Sequence, residues 1–71
     1  MRDDFSLSGS EFIKLCDLLK RVGLCESGGA AKNVIGEGQV TVDGKVELRK
    51  RCKILAGQTV KFEDETVKVV E

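Results

Sequence analysis

The first half of the chain carries apolar residues at helical spacing. From residue 11 to residue 22 they recur three and four positions apart, at Phe12, Leu15, Cys16, Leu19 and Val22. This spacing is typical of one face of an α-helix. Ser8 and Glu11 have the separation of a capping box, Ser10 is a competing N-cap, and Gly23 offers a left-handed stop. The pattern therefore predicts a helix over residues 11–22.

A second, shorter helix is predicted over residues 27–35. Ser27 is a favourable N-cap residue. Small and β-branched apolar residues supply its inward face, namely Ala30, Ala31, Val34 and Ile35. Gly36 and Gly38 then end the helix.

From residue 39 onward the apolar period changes from helix to strand. Alternating apolar residues flank Asp43 and Gly44, and such a pair is the strongest short-range signal for a type I′ hairpin. Further alternating stretches follow, separated by a turn at Ala56 and Gly57 and by an acidic tip at residues 63–65. The order predicts an α+β fold, with two N-terminal helices packed on a small antiparallel sheet of short strands.

The domain organisation is simple. Residues 1–10 form a lead-in, in which Phe5 and Leu7 alternate with Ser6, a pattern that fits either a short edge strand or a mobile segment. Residues 11–71 form a single domain. No apolar run approaches the roughly 20 residues that span a bilayer, and the first five residues hold no apolar signal core. We therefore expect a cytoplasmic protein without membrane association. We also expect it to be a monomer.

Few residues are suited to catalysis or metal binding. The chain has no His, and its three Cys residues, Cys16, Cys25 and Cys52, form no C-x-x-C pair, which argues against a zinc site. No nucleophile elbow, P-loop or dinucleotide fingerprint is present. We expect no enzymatic activity and no cofactor. Cys52 lies among cations, which would lower the pKa of its thiol if the residue is exposed, so it is either the reactive thiol of a redox- or metal-responsive regulator or a buried anchor.

Charge is segregated in a chain whose formal net charge is zero, with 12 basic and 12 acidic residues. Between residues 45 and 53 a single acid, Glu47, accompanies five basic residues, which are Lys45, Arg49, Lys50, Arg51 and Lys53. Acids concentrate elsewhere, at Asp3, Asp4 and residues 63–65. We call residues 49–53 the basic loop. A solvated loop is the usual interpretation of an isolated charge run, but this degree of segregation favours a phosphate-binding face.

Two further groups of residues are candidates for phosphate contacts. At the start of the second helix, the N–H groups of Gly28, Gly29 and Ala30 and the helix dipole favour an anion. The exposed helix cations Lys14, Arg21 and Lys32 are the other group.

The chain has no Trp or Tyr, and its three Phe residues, Phe5, Phe12 and Phe62, occupy positions that predict an inward orientation. Single-strand stacking is therefore not expected, and structured RNA is the favoured nucleic acid.

Several motifs together resemble a known family. They consist of Leu15, Leu18, Leu19, Gly23, Ser27, Ala31, Ile35, the stretch 38–46 and the stretch 57–60. This pattern covers residues 11–62 and resembles the S4 family of RNA-binding domains, which is named after a small-subunit ribosomal protein and whose core is called the alpha-L motif. Residues 38–46 are its most specific part. The basic loop and the start of the second helix look like those of short stand-alone bacterial members.

The resemblance implies a non-catalytic module that binds structured RNA, with ribosomal RNA as one candidate. In the family, the two helices and the start of the hairpin face the RNA. Many members carry an Arg directly after the Ser of the second helix start, where this chain has Gly28. Together with the helix cations, the candidate RNA-contacting residues are Lys14, Arg21, Ser27, Gly28, Gly29, Lys32, Lys45, Arg49, Lys50, Arg51 and Lys53. The alternative is a protein-interaction module whose basic face binds an acidic protein partner, which the zero net charge and Gly28 favour.

Overall fold

The computed structural model describes residues 4–71 and consists of two short helices and seven short strands. Asp3 lies outside the described residues. The elements in chain order are β1 (Phe5–Ser6), β2 (Ile13–Lys14), α1 (Leu15–Arg21), α2 (Gly28–Gly36), β3 (Val40–Val42), β4 (Lys45–Val46), β5 (Lys53–Ile54), β6 (Thr59–Phe62) and β7 (Glu65–Val70). The fold is α+β, as predicted, but β1 and β2 precede the helices.

The strands form two separate sheets. The larger sheet has the order β1-β7-β6-β3-β4. Its neighbouring strands are antiparallel, except that β1 runs parallel to β7, with Phe5 opposite Val69. Strands β2 and β5 pair in a two-stranded antiparallel ribbon. The prediction of one antiparallel sheet is therefore incomplete, because the pairing partners of β1 and β2 lie far away in the sequence.

Helix α1 begins later than predicted. Ile13 pairs with Ile54 in the ribbon, so the segment before Leu15 is extended rather than helical. Lys14 is the N-cap, with φ −70° and ψ 141°, and its side chain makes no cap hydrogen bond. The predicted caps at Ser8 and Ser10 are wrong, because strand pairing takes the segment that would have formed the first helical turn.

Helix α2 and the hairpin after it agree with the sequence. The Ser27 hydroxyl accepts a hydrogen bond from the Ala30 N–H at 3.1 Å, as an N-cap residue does. Asp43 and Gly44 have φ values of 53° and 84°, and positive φ at both central residues defines the type I′ turn. The predicted left-handed stop after α1 is also present, because Gly23 has a φ of 83°.

One apolar core joins both sheets and both helices. In β3, β6 and β7 every second side chain points toward this core, and the ribbon contributes Ile54. The largest fully enclosed side chains are Leu15, Leu18, Leu19, Ile35, Val40, Ile54, Val60, Val67 and Val69. Between residues 4 and 71, neither helix has the length and apolar character needed to cross a membrane. The core fixes the ribbon and α1 relative to each other, and these elements carry the candidate site.

Candidate nucleic-acid interface

The basic loop is attached to the start of α1 through its backbone. The Leu15 N–H donates to the Cys52 carbonyl at 2.8 Å, and the Cys16 N–H donates to the Lys50 carbonyl at 3.3 Å. A helix leaves its first four N–H groups without intrahelical partners, so loop carbonyls replace the missing side-chain cap here. The loop thereby gains a fixed position, while the side chains of Lys50 and Arg51 stay exposed.

Two lysines face each other across the β2–β5 ribbon. Lys14 is the cross-strand partner of Lys53, as Ile13 is of Ile54. Side chains of directly opposite residues project from the same face of a strand pair. Ile54 is fully buried, so the isoleucine face lies on the core and both lysines are exposed on the other face. Within residues 4–71 neither lysine forms an ion pair with a carboxylate.

The Lys53 ammonium lies over the ring of Phe12. Its Nζ is 4.9 Å from the ring centroid, within cation–π range. Phe12 is half-buried and lies outside the apolar core described above. The prediction that Phe12 faces inward is therefore wrong, because the residue precedes α1 instead of lying within it. Phe62 is buried in the core as expected.

Arg49 is held by Glu47 and is not free. Its Nε and Nη2 donate to Oε2 and Oε1 of Glu47 at 2.9 and 3.1 Å, and its backbone N–H donates to Oε2 at 3.0 Å. Hydrogen bonds from the Arg49 side chain and backbone lower the pKa of the Glu47 carboxyl from 4.5 to about 2. The charge of Arg49 is thus balanced locally, although its side chain is 77% exposed.

The thiol of Cys52 lies in the same cluster. It donates to Oε1 of Glu47 at 3.5 Å, and the residue packs half-buried against the core. Burial, followed by the Glu47 carboxylate, raises the pKa of the Cys52 thiol, while Arg49 acts in the opposite direction. The pKa of the thiol is therefore raised and not lowered, and the position fits an anchor beneath the loop.

Lys50 contacts the far end of the second helix. A Cβ atom built on Gly36, the last residue of α2, would lie 3.2 Å from Lys50 Cε and 3.8 Å from its Nζ. A cation near a helix C-terminus is favoured by the helix dipole. Lys50 therefore joins the loop to both helices, since its carbonyl caps α1 and its side chain lies against the end of α2.

The start of α2 lies at the opposite end of that helix. Gly28 and Gly36 are separated by about 12 Å along the axis, at about 1.5 Å per residue. The Ser27 hydroxyl accepts the hydrogen bond of the Ala30 N–H. The prediction that this N–H binds an anion is therefore wrong. Gly28 and Gly29 remain in the first turn, beyond the reach of Lys50.

The other predicted cations divide into those near the ribbon and those away from it. Arg51 and Lys53 line one shallow depression of the surface, and Lys14 and Arg21 line another. We call these four residues the ribbon cations. Lys32 lies within α2 and is half-buried, while Lys45 is exposed on the edge strand β4.

Sequence reasoning missed two residues of this region. Glu47 was counted as the single acid of its stretch, but nothing in the sequence indicated that it binds Arg49. Phe12 was placed in a helical stripe, and only the pairing of β2 with β5 removes it from there. Asp17, an acid of α1, lines the same pocket as Lys14 and Arg21. Among residues 4–71, no three His, Cys, Asp or Glu side chains are grouped to hold a metal ion.

Comparison with known proteins gives consistent matches. A family model described as "S4 domain" matches residues 5–70. The chain is 61% identical over 66 residues to "Putative RNA-binding protein YbcJ" of Escherichia coli (strain K12), covering 93% of this chain and 94% of that protein. The "Uncharacterized protein YbcJ" of Shigella flexneri matches with the same identity and coverage.

One solved structure is also similar. It is the solution structure of YbcJ from E. coli, described as revealing an alfaL motif involved in RNA-binding. The two chains are 59% identical, with a TM-score of 0.75, and the match covers 96% of this chain and 86% of the other.

Proposed function

Because this chain belongs to the S4 domain family, we propose that it is an RNA-binding protein that docks on structured RNA through phosphate contacts. The observation that carries this proposal is the pair of unneutralised lysines, Lys14 and Lys53, directly opposite each other on one ribbon face. The similar E. coli protein bears an RNA-binding name, and its structure is described in terms of an RNA-binding motif. The name and the structure description of that protein both agree with RNA as the partner.

The lysine pair supports the proposal because it disfavours folding by itself. Like charges on directly opposite strand residues are destabilising. An anion that binds between them would relieve the repulsion, and the phosphates of an RNA backbone supply such anions at regular intervals. Arg51 lines the same depression as Lys53, and Arg21 lines the same pocket as Lys14, so both add positive charge near the lysine pair. A-form RNA is read mostly through shape, phosphates and 2′-hydroxyls, which suits a surface of this kind.

The basic loop contributes unequally to this surface. Arg51 is exposed, and Lys53 is exposed with its ammonium over the Phe12 ring, whereas Arg49 is paired with Glu47 and Lys50 lies against the end of α2. We assign the main phosphate contacts to the four ribbon cations. Lys32, Lys45 and the start of α2 are secondary contacts for a long RNA. Four to five phosphate contacts predict a log–log salt slope of about −4.

The finer parts of the proposal concern location, oligomeric state and catalysis. We propose that the protein acts as a monomer in the cytoplasm and has no catalytic activity of its own. Ribosomal RNA is the first RNA to test, because the family takes its name from a ribosomal protein.

A second candidate function uses the same cations on a protein. Val46 and Leu48 are 58% and 59% exposed, next to Lys45 and the basic loop. Both lie within 4 Å of the space that a Cβ on Gly38 would occupy, so they cover the same spot. An acidic protein partner with apolar residues would fit this combination of cations and aliphatic side chains.

Ultraviolet crosslinking in cells, followed by sequencing of the RNA and mass spectrometry of the peptides, separates the two functions. The RNA-binding proposal expects one class of structured RNA, crosslinked to peptides that contain residues 11–14 or 49–53. Recovery of an acidic protein at the same peptides, with no RNA enriched over a mock sample, would replace it with the second function.

A further inference from the structure

We infer that a pocket beside the ribbon cations binds an unstacked nucleobase together with its phosphate; this rests on the proposed RNA-binding function. The pocket has a volume of about 270 Å³ and lies between β1, the segment that leads into β2, and α1. Drug-sized ligands occupy pockets of roughly 300–1,000 Å³, so the ligand here is a smaller group.

Phe12 is the residue of this pocket on which a nucleobase can stack. It is an aromatic residue that lines this pocket, remains half-buried and takes no part in the core. Phe5 lines the same pocket from β1. Proteins that bind unstacked bases combine aromatic rings with surrounding cations, and Phe12 offers that combination. The Lys53 ammonium covers one face of the Phe12 ring.

The polar groups of the pocket match the rest of a nucleotide. Lys14 and Arg21 line it and form no ion pair with residues 4–71, so either can bind a phosphate. Three further polar residues, Asp17, Ser8 and Ser10, also line it. A carboxylate accepts hydrogen bonds, and a hydroxyl both donates and accepts, as the edges of nucleobases require. A base could therefore be held by its face and its edge at once.

The wall formed by residues 7–10 is already ordered. The Ser10 N–H donates to the Leu7 carbonyl at 3.1 Å, and the Ser8 N–H donates to the Ser6 hydroxyl at 3.1 Å. The Ser6 hydroxyl in turn donates to the Glu71 carbonyl at 2.9 Å. Binding a base here needs little rearrangement of the backbone, and preorganised sites lose less affinity to ordering.

Lys14 connects the pocket to the phosphate surface. It lines the pocket and is also half of the Lys14–Lys53 pair. A phosphate bound between the two lysines would place the next base of the strand near Phe12. Sequence-specific RNA recognition favours unstacked bases in bulges, loops and ends, so a bulged or terminal nucleotide is the ligand that fits.

Two RNA hairpins that differ by one bulged nucleotide test the inference. The wild-type protein is expected to bind the bulged hairpin about tenfold more tightly, and Phe12→Leu, which keeps an apolar side chain but removes the ring, should bind both equally. Leu55→Ala, at an exposed apolar residue that does not line the pocket, is the matched control and should keep the preference. A Phe12→Leu protein that retains the preference would overturn the pocket.

A second measurement uses the wild-type protein alone. The bulged nucleotide is replaced by 2-aminopurine, whose fluorescence should change on binding because the base leaves its neighbours in the RNA for the pocket beside Phe12. A nucleoside monophosphate added without RNA should shift the Phe12 ring resonances in NMR spectra if the pocket also takes free nucleotides. Shifts with the free nucleotide and no response in the RNA assign the pocket to a small ligand and overturn the RNA-base inference. Failure of the protein to bind either hairpin would instead contradict the proposed function.

Discussion

Lys14 and Lys53 lie directly opposite each other on the β2–β5 ribbon, with no carboxylate among residues 4–71 paired to either. The isoleucines that accompany them, Ile13 and Ile54, face the core. The ribbon thus uses one face for stability and places two like charges on the other. This arrangement favours anion binding over stability of the free protein.

Replacement of Lys14 by Thr should therefore stabilise the protein while weakening RNA binding. The change removes the repulsion from Lys53 and introduces a β-branched residue that suits a strand. We expect the free energy of unfolding to rise by about 0.2–1 kcal/mol, the usual size of a cross-strand pair effect. Urea denaturation of both proteins measures this, and a destabilised Lys14→Thr protein would show that the lysine has a structural role.

Glu47→Gln should strengthen RNA binding. The substitution leaves at most one side-chain acceptor for the Nε and Nη2 donors of Arg49 and removes the negative charge among the cations of residues 45–53. One additional phosphate contact should steepen the log–log salt slope by about one unit. Binding isotherms at several salt concentrations provide the measurement. An unchanged slope with weaker binding would mean that Glu47 orients Arg49 toward the RNA instead of competing for it.

The same pair predicts a stability loss in acid. The pKa of Glu47 is about 2 in the folded protein against 4.5 for the unperturbed carboxyl, so the folded state binds fewer protons between these values. Protonation then favours the unfolded state. The contribution of Glu47 is complete above pH 4.5 and disappears as the pH falls through 2.

Comparison with Glu47→Gln isolates this effect. The wild-type protein should be the more stable of the two in urea at pH 6, and the difference should shrink steadily toward pH 2. A difference that is the same at both pH values would show that the charge of Glu47 does not contribute to stability.

Gly28→Arg should increase RNA affinity if the start of α2 contacts the RNA. A Cβ atom on Gly28 would meet no other atom within 4 Å, so a side chain fits there without a clash. Arg adds a planar donor fork suited to phosphate, and we expect binding to tighten by about three- to tenfold.

Gly28→Gln is the control for that prediction. It has similar helix propensity to Arg but no charge, so it should keep the wild-type affinity. Equal affinities of the Arg and Gln proteins would place the start of α2 outside the RNA-binding surface, consistent with its distance from Lys50.

Local sequence signals predicted the parts of this fold that depend on near neighbours. Ser27 caps α2, and the Asp43–Gly44 turn needs only its flanking strands. The first helix was misplaced because Ile13 pairs with Ile54, about forty positions away. The apolar period of one segment carries no information about a pairing partner so far away in the sequence.

The site was predictable to the same degree. The cations themselves are visible in the sequence, but the pairing of Lys14 with Lys53 requires the ribbon. The neutralisation of Arg49 depends on the side-chain conformation that brings the Glu47 carboxylate onto its guanidinium and backbone N–H, and the partial exposure of Phe12 follows from the shortened α1. Counting charges therefore identified the basic region but overestimated how much positive charge Arg49 contributes to it.

The most direct test compares two double substitutions that remove equal charge. Lys14→Ala/Lys53→Ala removes the ribbon pair, and Lys61→Ala/Lys68→Ala removes two exposed lysines from β6 and β7 of the larger sheet. Binding of each protein to one structured RNA is measured across a salt series. We expect the first to bind at least about tenfold more weakly, with a salt slope reduced by about two units, and the second to bind like the wild type. Equal losses in the two proteins would contradict a phosphate site at the ribbon.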